Sequence, residues 1–125
     1  MSDLASIRER YLRDEPRVRL GGLAANLARI ASFSDHEKHK DPVRDLIVES
    51  EHFIEWTARD TELETQAELV SLQLELARWR ARLDADWSNE GVRREMAARA
   101  HQRAGEVLAL SGLLDPASAA MRSES

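Results

Sequence analysis

Residues 68–87 read ELVSLQLELARWRARLDADW, and the way this stretch is covered decides the fold. Placed on a helix at about 100° per residue, residues 63–87 show two apolar faces separated by charged residues. The small face has a heptad-like spacing and consists of Leu63, Ala67, Val70, Leu74, Ala77 and Ala81. The bulky face lies opposite and consists of Leu69, Leu72, Leu76, Trp79, Leu83 and Trp87.

A helix in a simple bundle needs only one apolar face, so two opposite faces require two covering layers. We assign the small face to the core, because small side chains let neighbouring helices approach closely. The short first helix is one candidate cover for the bulky face, but it offers only about three apolar side chains. Trp and Arg are enriched among interface anchors. The sequence therefore predicts that the bulky face binds a second copy, giving a homodimer or higher oligomer, or binds a different protein.

The composition predicts a single helical domain. The chain has 125 residues, of which 42% are hydrophobic and 33% charged, and it contains no Cys. This length is enough for one domain with a real core, and the absence of Cys excludes disulfides and thiolate chemistry. The first ten residues lack a signal-peptide pattern and no apolar run is long enough to span a bilayer. We therefore expect a cytoplasmic protein without membrane contact, and sixteen Arg against two Lys are typical of a GC-rich bacterial genome.

Helix signals divide the chain into five segments. Ser2 is the expected cap of the first helix, Asp41-Pro42 starts the third, Thr61 with Glu64 forms a capping box for the fourth, and Gly112 ends the fifth. The other helices are expected at about residues 17–33 and 90–111. The prediction is an all-α, antiparallel four-helix bundle with a short extra N-terminal helix, occupying residues 1–112, followed by a flexible tail at 113–125.

The periodicity also predicts which residues face the core. In the second helix, Leu20, Leu23, Leu27 and Ile30 lie on one side, and Arg19, Asn26 and Arg29 lie opposite. In the third helix, the inward residues are Val43, Leu46, Ile47, Ser50, Phe53, Ile54 and Thr57, and the outward residues are Asp45, Glu49, His52 and Trp56. The pair Gly21-Gly22 predicts close approach of a neighbouring backbone or a helix start a few residues later.

Charge is distributed unevenly along the chain. The formal net charge is −5, but residues 41–75 alone carry ten acidic side chains and two arginines. The segments on either side, 1–40 and 76–111, each carry a slight basic excess. This asymmetry predicts that the acidic segment pairs with the basic ones, within the fold or between chains.

Two patterns raise the possibility of a metal site. Glu49 and His52 have the Glu-x-x-His spacing by which bundle di-iron proteins place two ligands on one face. They lie on the outer face, however, and the second helix offers no acidic partner, so only a site formed across a dimer would use them. The segment HEKH at 36–39 is one residue short of the HExxH zinc spacing. We predict no metal and no cofactor.

A nucleic-acid interface is a second alternative. Arg78 and Arg82 lie one turn apart beside Trp79, and further arginines follow in the fifth helix. Acidic residues interrupt this basic stripe and the net charge is negative, which disfavours phosphate binding. No G-x-S-x-G motif or other catalytic set is present. The function predicted from sequence is therefore a non-catalytic interaction or scaffolding module that self-associates, with no catalytic residues.

Overall fold

Every regular element of the chain is helical in the computed structural model, which describes residues 3–113. Five α-helices follow one another: α1 (Leu4–Leu12), α2 (Pro16–Phe33), α3 (Lys40–Thr57), α4 (Leu63–Asp86) and α5 (Glu90–Ser111). Short 3₁₀ helices at Glu37–His39 and Ala58–Asp60 precede and follow α3. The all-α prediction is confirmed, and no helix within 3–113 combines the length and apolar content that a membrane span requires.

Local sequence signals explain several of the helix ends. Asn89 Oδ1 accepts a hydrogen bond from Val92 N at 3.2 Å and starts α5. Gly112 ends α5 with a φ of 71°, a conformation that glycine adopts without strain. Pro16 occupies the first turn of α2, where its missing N–H costs nothing. The predicted ends of α4 and α5 at Asp86 and Ser111 are confirmed.

Three predicted helix starts differ from the structure. Asp3, not Ser2, caps α1 by accepting from Ala5 N at 3.1 Å. The capping box at Thr61 is wrong, because the Thr61 hydroxyl donates to Ala58 O at 2.7 Å and closes the preceding 3₁₀ turn. Helix α3 begins at Lys40, one residue before the predicted cap, because the 3₁₀ helix runs directly into it. The predicted tail, apart from its first residue, lies outside the described residues.

Helices α3 and α4 run in opposite directions. Asp84 near the end of α4 accepts from Lys40 and Arg44 at the start of α3, and Glu51 further along α3 accepts from Arg80 Nε at 2.7 Å. Helix α2 contacts both α3 and α5, and α4 contacts α3 and α5. Between these four helices lies one apolar core, whose buried members include Leu23, Leu27, Ile30, Val43, Ile47, Ile54, Ala100 and Val107.

Helix α1 covers the C-terminal end of α3. Tyr11 stacks on Phe53 with ring centroids 4.0 Å apart and lies 5.9 Å from the ring of Trp56. Trp56 is therefore buried, although periodicity placed it on the outer face of its helix. The misassignment has a simple cause: the turn at Arg13–Glu15 folds α1 back over a face of α3 that would be exposed in an isolated bundle.

Two polar residues of α2 that were predicted to face outward are also buried. Arg19 donates to Asp14 O at 2.9 Å and forms an ion pair with Asp60 at 2.8 Å. Asn26 donates to Glu49 Oε1 at 3.1 Å. Both side chains reach across to α3 or to the turns beside it, so their burial is stabilised by hydrogen bonds. Gly21 is closely approached by a side chain and not by a backbone as predicted, because a Cβ there would lie 2.7 Å from Leu113 Cδ1. The alternative of a later helix start is wrong, since α2 begins at Pro16.

The burial of Tyr11 gives a pH prediction. Burial raises the pKa of Tyr11 to about 12 from its ordinary 10.0, and the hydrogen bond from Thr57 Oγ1 only partly offsets this. The unfolded chain releases the tyrosine proton first, so stability should fall as the pH rises from about 10 towards about 12. Tyr11 is the only tyrosine, so tyrosinate absorbance reports it alone. A midpoint near 10 in protein that circular dichroism shows to be folded would contradict this, and Tyr11→Phe should remove the absorbance change.

Candidate functional site

The bulky face of α4 lies inside the fold. Leu69, Leu72, Leu76 and Leu83 are buried, Trp87 is 6% exposed, and the partly buried Trp79 packs against the same core. These side chains contact the chain's own helices, so they are not available to a second copy. The prediction that these particular residues form an intermolecular interface is therefore wrong. Self-association itself stays a prediction.

The physical reason is the relative apolar area of the two faces. Burying a Leu or Trp side chain stabilises the fold by about 25 cal/mol per Å² of apolar surface, so the face with the larger side chains gains more from the core. The small face has alanine at three of its six positions, so its burial would remove much less apolar surface from water. Close approach of helix backbones, the argument for placing the small face inside, is the weaker effect here.

The small face of α4 is the exposed one. Leu63 is 80% exposed, Val70 is 51% exposed and Leu74 is 57% exposed. Ala67 and Ala81 between and beyond them are exposed as well, and Ala77 is half-buried. The result is an aliphatic stripe along most of the length of a 24-residue helix. Isolated exposed apolar residues are ordinary, but a continuous stripe is typical of an interaction surface.

Charged residues at the edges of this stripe differ in how they are paired. Arg80 binds Glu51 of α3 through two hydrogen bonds, at 2.7 and 3.2 Å, which fixes the edge that faces α3. On the other edge, Glu64 and Arg78 are exposed. Neither forms an ion pair with another residue in the described range 3–113. These two opposite charges, two heptads apart, remain available to a partner.

Glu75 of α4 is bound by two arginines of α5. Glu75 accepts from Arg99 Nε at 2.7 Å and from Arg103 Nε at 2.8 Å, and Arg103 also donates to Ser71 Oγ at 3.0 Å. Partial burial would raise the pKa of Glu75, but the two arginine hydrogen bonds outweigh it and hold that pKa below 4.5. The predicted pairing of the acidic segment with a basic segment is confirmed at this contact.

The residues considered for metal binding are engaged otherwise. Glu49 is half-buried and accepts from Asn26, while the His52 ring stacks on Trp56 with centroids 5.4 Å apart. Within residues 3–113, no group of three or more His, Asp or Glu side chains is placed to hold an ion. His36 and His39 lie together in edge-to-face contact, with centroids 5.3 Å apart.

Comparison with protein-family models, with curated proteins and with solved structures found no match to this chain. The functional inference accordingly rests on its own side chains. Of these, the exposed small face of α4 is the feature that the fold leaves without a partner inside the described residues.

The arginines considered for nucleic-acid binding are mostly paired with carboxylates of the same chain. Arg82 binds Asp86 at 3.1 Å, Arg94 binds Glu90 at 2.8 Å, and Arg99 and Arg103 bind Glu75. Phosphate binding needs several free cations on one surface. This pairing therefore gives no support to a phosphate-binding stripe.

Proposed function

We propose that the chain is a non-catalytic interaction module that self-associates through the small face of α4. The observation that carries the proposal is the exposure of Leu63, Val70 and Leu74 on one side of one helix. The sequence predicted self-association through the bulky face. Because that face is buried in the fold, we propose the exposed small face as the contact surface instead. Bacterial origin and cytoplasmic location stay predictions.

The spacing of the small face suits a second copy of the same helix. Its six positions alternate steps of four and three residues, the pattern of a two-stranded coiled-coil seam. If two copies pair in antiparallel orientation about residue 72, Val70 meets Leu74 of the second copy. Leu63 then meets Ala81 of the second copy, and Ala67 meets its Ala77. The outermost layers combine a leucine with an alanine, the central ones contain valine and leucine, and the seam maps onto itself as a two-fold interface requires.

The free charges at the edge of the seam support the same orientation. About the same centre, Glu64 of one copy comes close to Arg78 of the other, and the pair occurs twice in a symmetric dimer. The two residues occupy equivalent positions beside the apolar seam, where ion pairs set partner choice and direction. A parallel arrangement in register would instead keep Glu64 and Arg78 two heptads apart along the seam, so this pair would not form.

We propose further that α2 to α5 form an antiparallel four-helix bundle with α1 as an additional element. The closed sequence of contacts supports it, because α2 meets α3, α3 meets α4, α4 meets α5 and α5 returns to α2. In this arrangement α4 is the helix whose outward face is aliphatic, so dimerisation would extend the bundle without opening its core.

Sedimentation equilibrium tests the self-association. The wild-type chain should have twice its 14.2 kDa mass, and Leu74→Glu should give a folded monomer by placing two charges in the central layers. The dissociation constant should rise by at least about tenfold, since central apolar residues dominate such interfaces. Leu4→Glu is the matched control: Leu4 is also a half-exposed leucine, on α1, and its substitution should leave the dimer intact.

The orientation is tested by exchanging charges within the same experiment. Glu64→Arg should weaken the dimer, and the double variant Glu64→Arg with Arg78→Glu should restore it, because the pair is re-formed with reversed sign. A wild-type chain that stays monomeric at tens of micromolar would overturn the proposal. A dimer that Leu74→Glu leaves unchanged would show that another surface is used.

A further inference from the structure

A cavity of about 280 Å³ opens between the C-terminal half of α4 and the N-terminal half of α5. Its apolar lining consists of Trp79, Leu83, Trp87, Val92 and Met96. The volume is just below the range of about 300–1,000 Å³ typical of small-molecule sites, so it suits a ligand of one or two rings. Two indole rings and a thioether favour an aromatic ligand, because aromatic groups gain from stacking beyond their buried area.

The polar lining of the cavity is mainly cationic. Four arginines and two carboxylates line it: Arg78, Arg82, Arg93, Arg99, Asp86 and Glu95. Two of these arginines are already bound to carboxylates, Arg82 to Asp86 and Arg99 to Glu75. Arg78 and Arg93 have no carboxylate partner among the described residues, so the cavity presents unneutralised positive charge beside an apolar wall.

Arg93 is held in place while one of its donors stays unused. Its NH1 group donates to Trp87 O at 2.7 Å, and its guanidinium carbon lies 5.6 Å from the centroid of the Trp87 ring, within the range of a cation–π contact. Its Nε is buried and has no hydrogen-bond partner within residues 3–113. The guanidinium is thus oriented by Trp87 and carries a charge that no carboxylate of the described residues neutralises.

We propose that this cavity binds a small aromatic carboxylate. The planar carboxylate matches the geometry of a guanidinium group and supplies the negative charge that Arg93 lacks as a partner. The aromatic ring of the ligand would lie against Trp79 and Trp87. The apolar lining of the site is separate from the apolar seam of the dimer, since Leu83, Trp87 and Met96 are buried and do not belong to the exposed small face. Arg78 borders both surfaces, so the carboxylate of the ligand is assigned to Arg93.

NMR of the indole N–H groups tests the proposal directly, because the chain has three tryptophans and only two line the cavity. Titration of the wild-type chain with 2-naphthoate should shift the Trp79 and Trp87 signals to saturation and leave Trp56, which packs under α1, unshifted. The neutral analogue 2-naphthamide should bind about tenfold more weakly or worse, the cost of losing a charge-assisted hydrogen bond.

Adjacent arginines provide matched variants for the same titration. Arg93→Gln should weaken naphthoate binding by about tenfold or more, whereas Arg94→Gln, at an exposed residue paired with Glu90, should change it by less than about twofold. Leu74→Glu should bind naphthoate like the wild type, which separates this site from self-association. Equal binding of naphthoate and naphthamide by the wild type would overturn the proposal even if Arg93→Gln did not fold. Shifts at Trp56 alone, or no saturable shift, would overturn it too.

Discussion

Leu76→Ala should lower the free energy of unfolding by about 2–5 kcal/mol, the range of leucine truncations in well-packed cores. Leu76 has no exposed surface and lies in the core between the helices. Its truncation removes apolar contacts and leaves a cavity that rigid helices fill only in part. In a domain of this size the melting temperature should drop by roughly 10 °C or more. Chemical denaturation with a two-state fit measures the loss.

Leu74→Ala is the matched control, because it makes the same substitution two residues away on the opposite face. Leu74 is 57% exposed, and its truncation should cost no more than about 0.5 kcal/mol within one chain. Any additional cost should grow with protein concentration, because a dimer contact contributes by mass action. Denaturation at two protein concentrations separates the cost within one chain from the cost to the dimer. Equal costs for Leu74→Ala and Leu76→Ala at low concentration would contradict the assignment of the two α4 faces.

The sequence was sufficient to predict the elements that depend on local signals. The ends of α4 and α5 follow from short-range features. Asn89 caps the start of α5 and Gly112 terminates the same helix, and neither effect depends on distant residues. The inward stripe of α3 was also predictable, because its large aliphatic residues occupy one side only. Where one face of a helix is clearly more apolar than the other, periodicity and burial agree.

The same reasoning failed where a helix has two apolar faces or a distant segment covers an outer face. For α4, periodicity identified both faces but could not rank them, because the ranking depends on how much area each buries against other helices. Arg19 and Trp56 were misplaced for a related reason: α1 and the turn at Ala58–Asp60 fold over them. The cavity between α4 and α5 likewise depends on side chains from two helices. One sequence signal indicated this cavity, the segment RWRAR at residues 78–82, in which Arg78 and Trp79 are adjacent.

Arg103→Met should destabilise the chain by about 2–3 kcal/mol, less than the ~3–5 kcal/mol for breaking a fully buried ion pair, because Arg99 remains bound to Glu75. Arg103 is 6% exposed and joins α5 to Glu75 and Ser71 of α4. Methionine retains much of the aliphatic stem, so the loss reports mainly the charge and its hydrogen bonds. Denaturation of Arg94→Met, where an exposed pair with Glu90 is lost, should show a change below about 0.5 kcal/mol.

The pH dependence distinguishes this ion-pair cluster from simple packing. Because the folded pKa of Glu75 lies below 4.5, its contribution to stability is present above about pH 4.5 and is lost as the pH falls through that lower value. Glu68 and Glu106 each lie 3.7 Å from Arg103 NH1 and belong to the same cluster of charges. The difference in free energy of unfolding between wild type and Arg103→Met should therefore be largest near neutral pH and should decrease in acid. A difference that stayed constant down to the acid transition would contradict the role of the ion pair between Arg103 and Glu75.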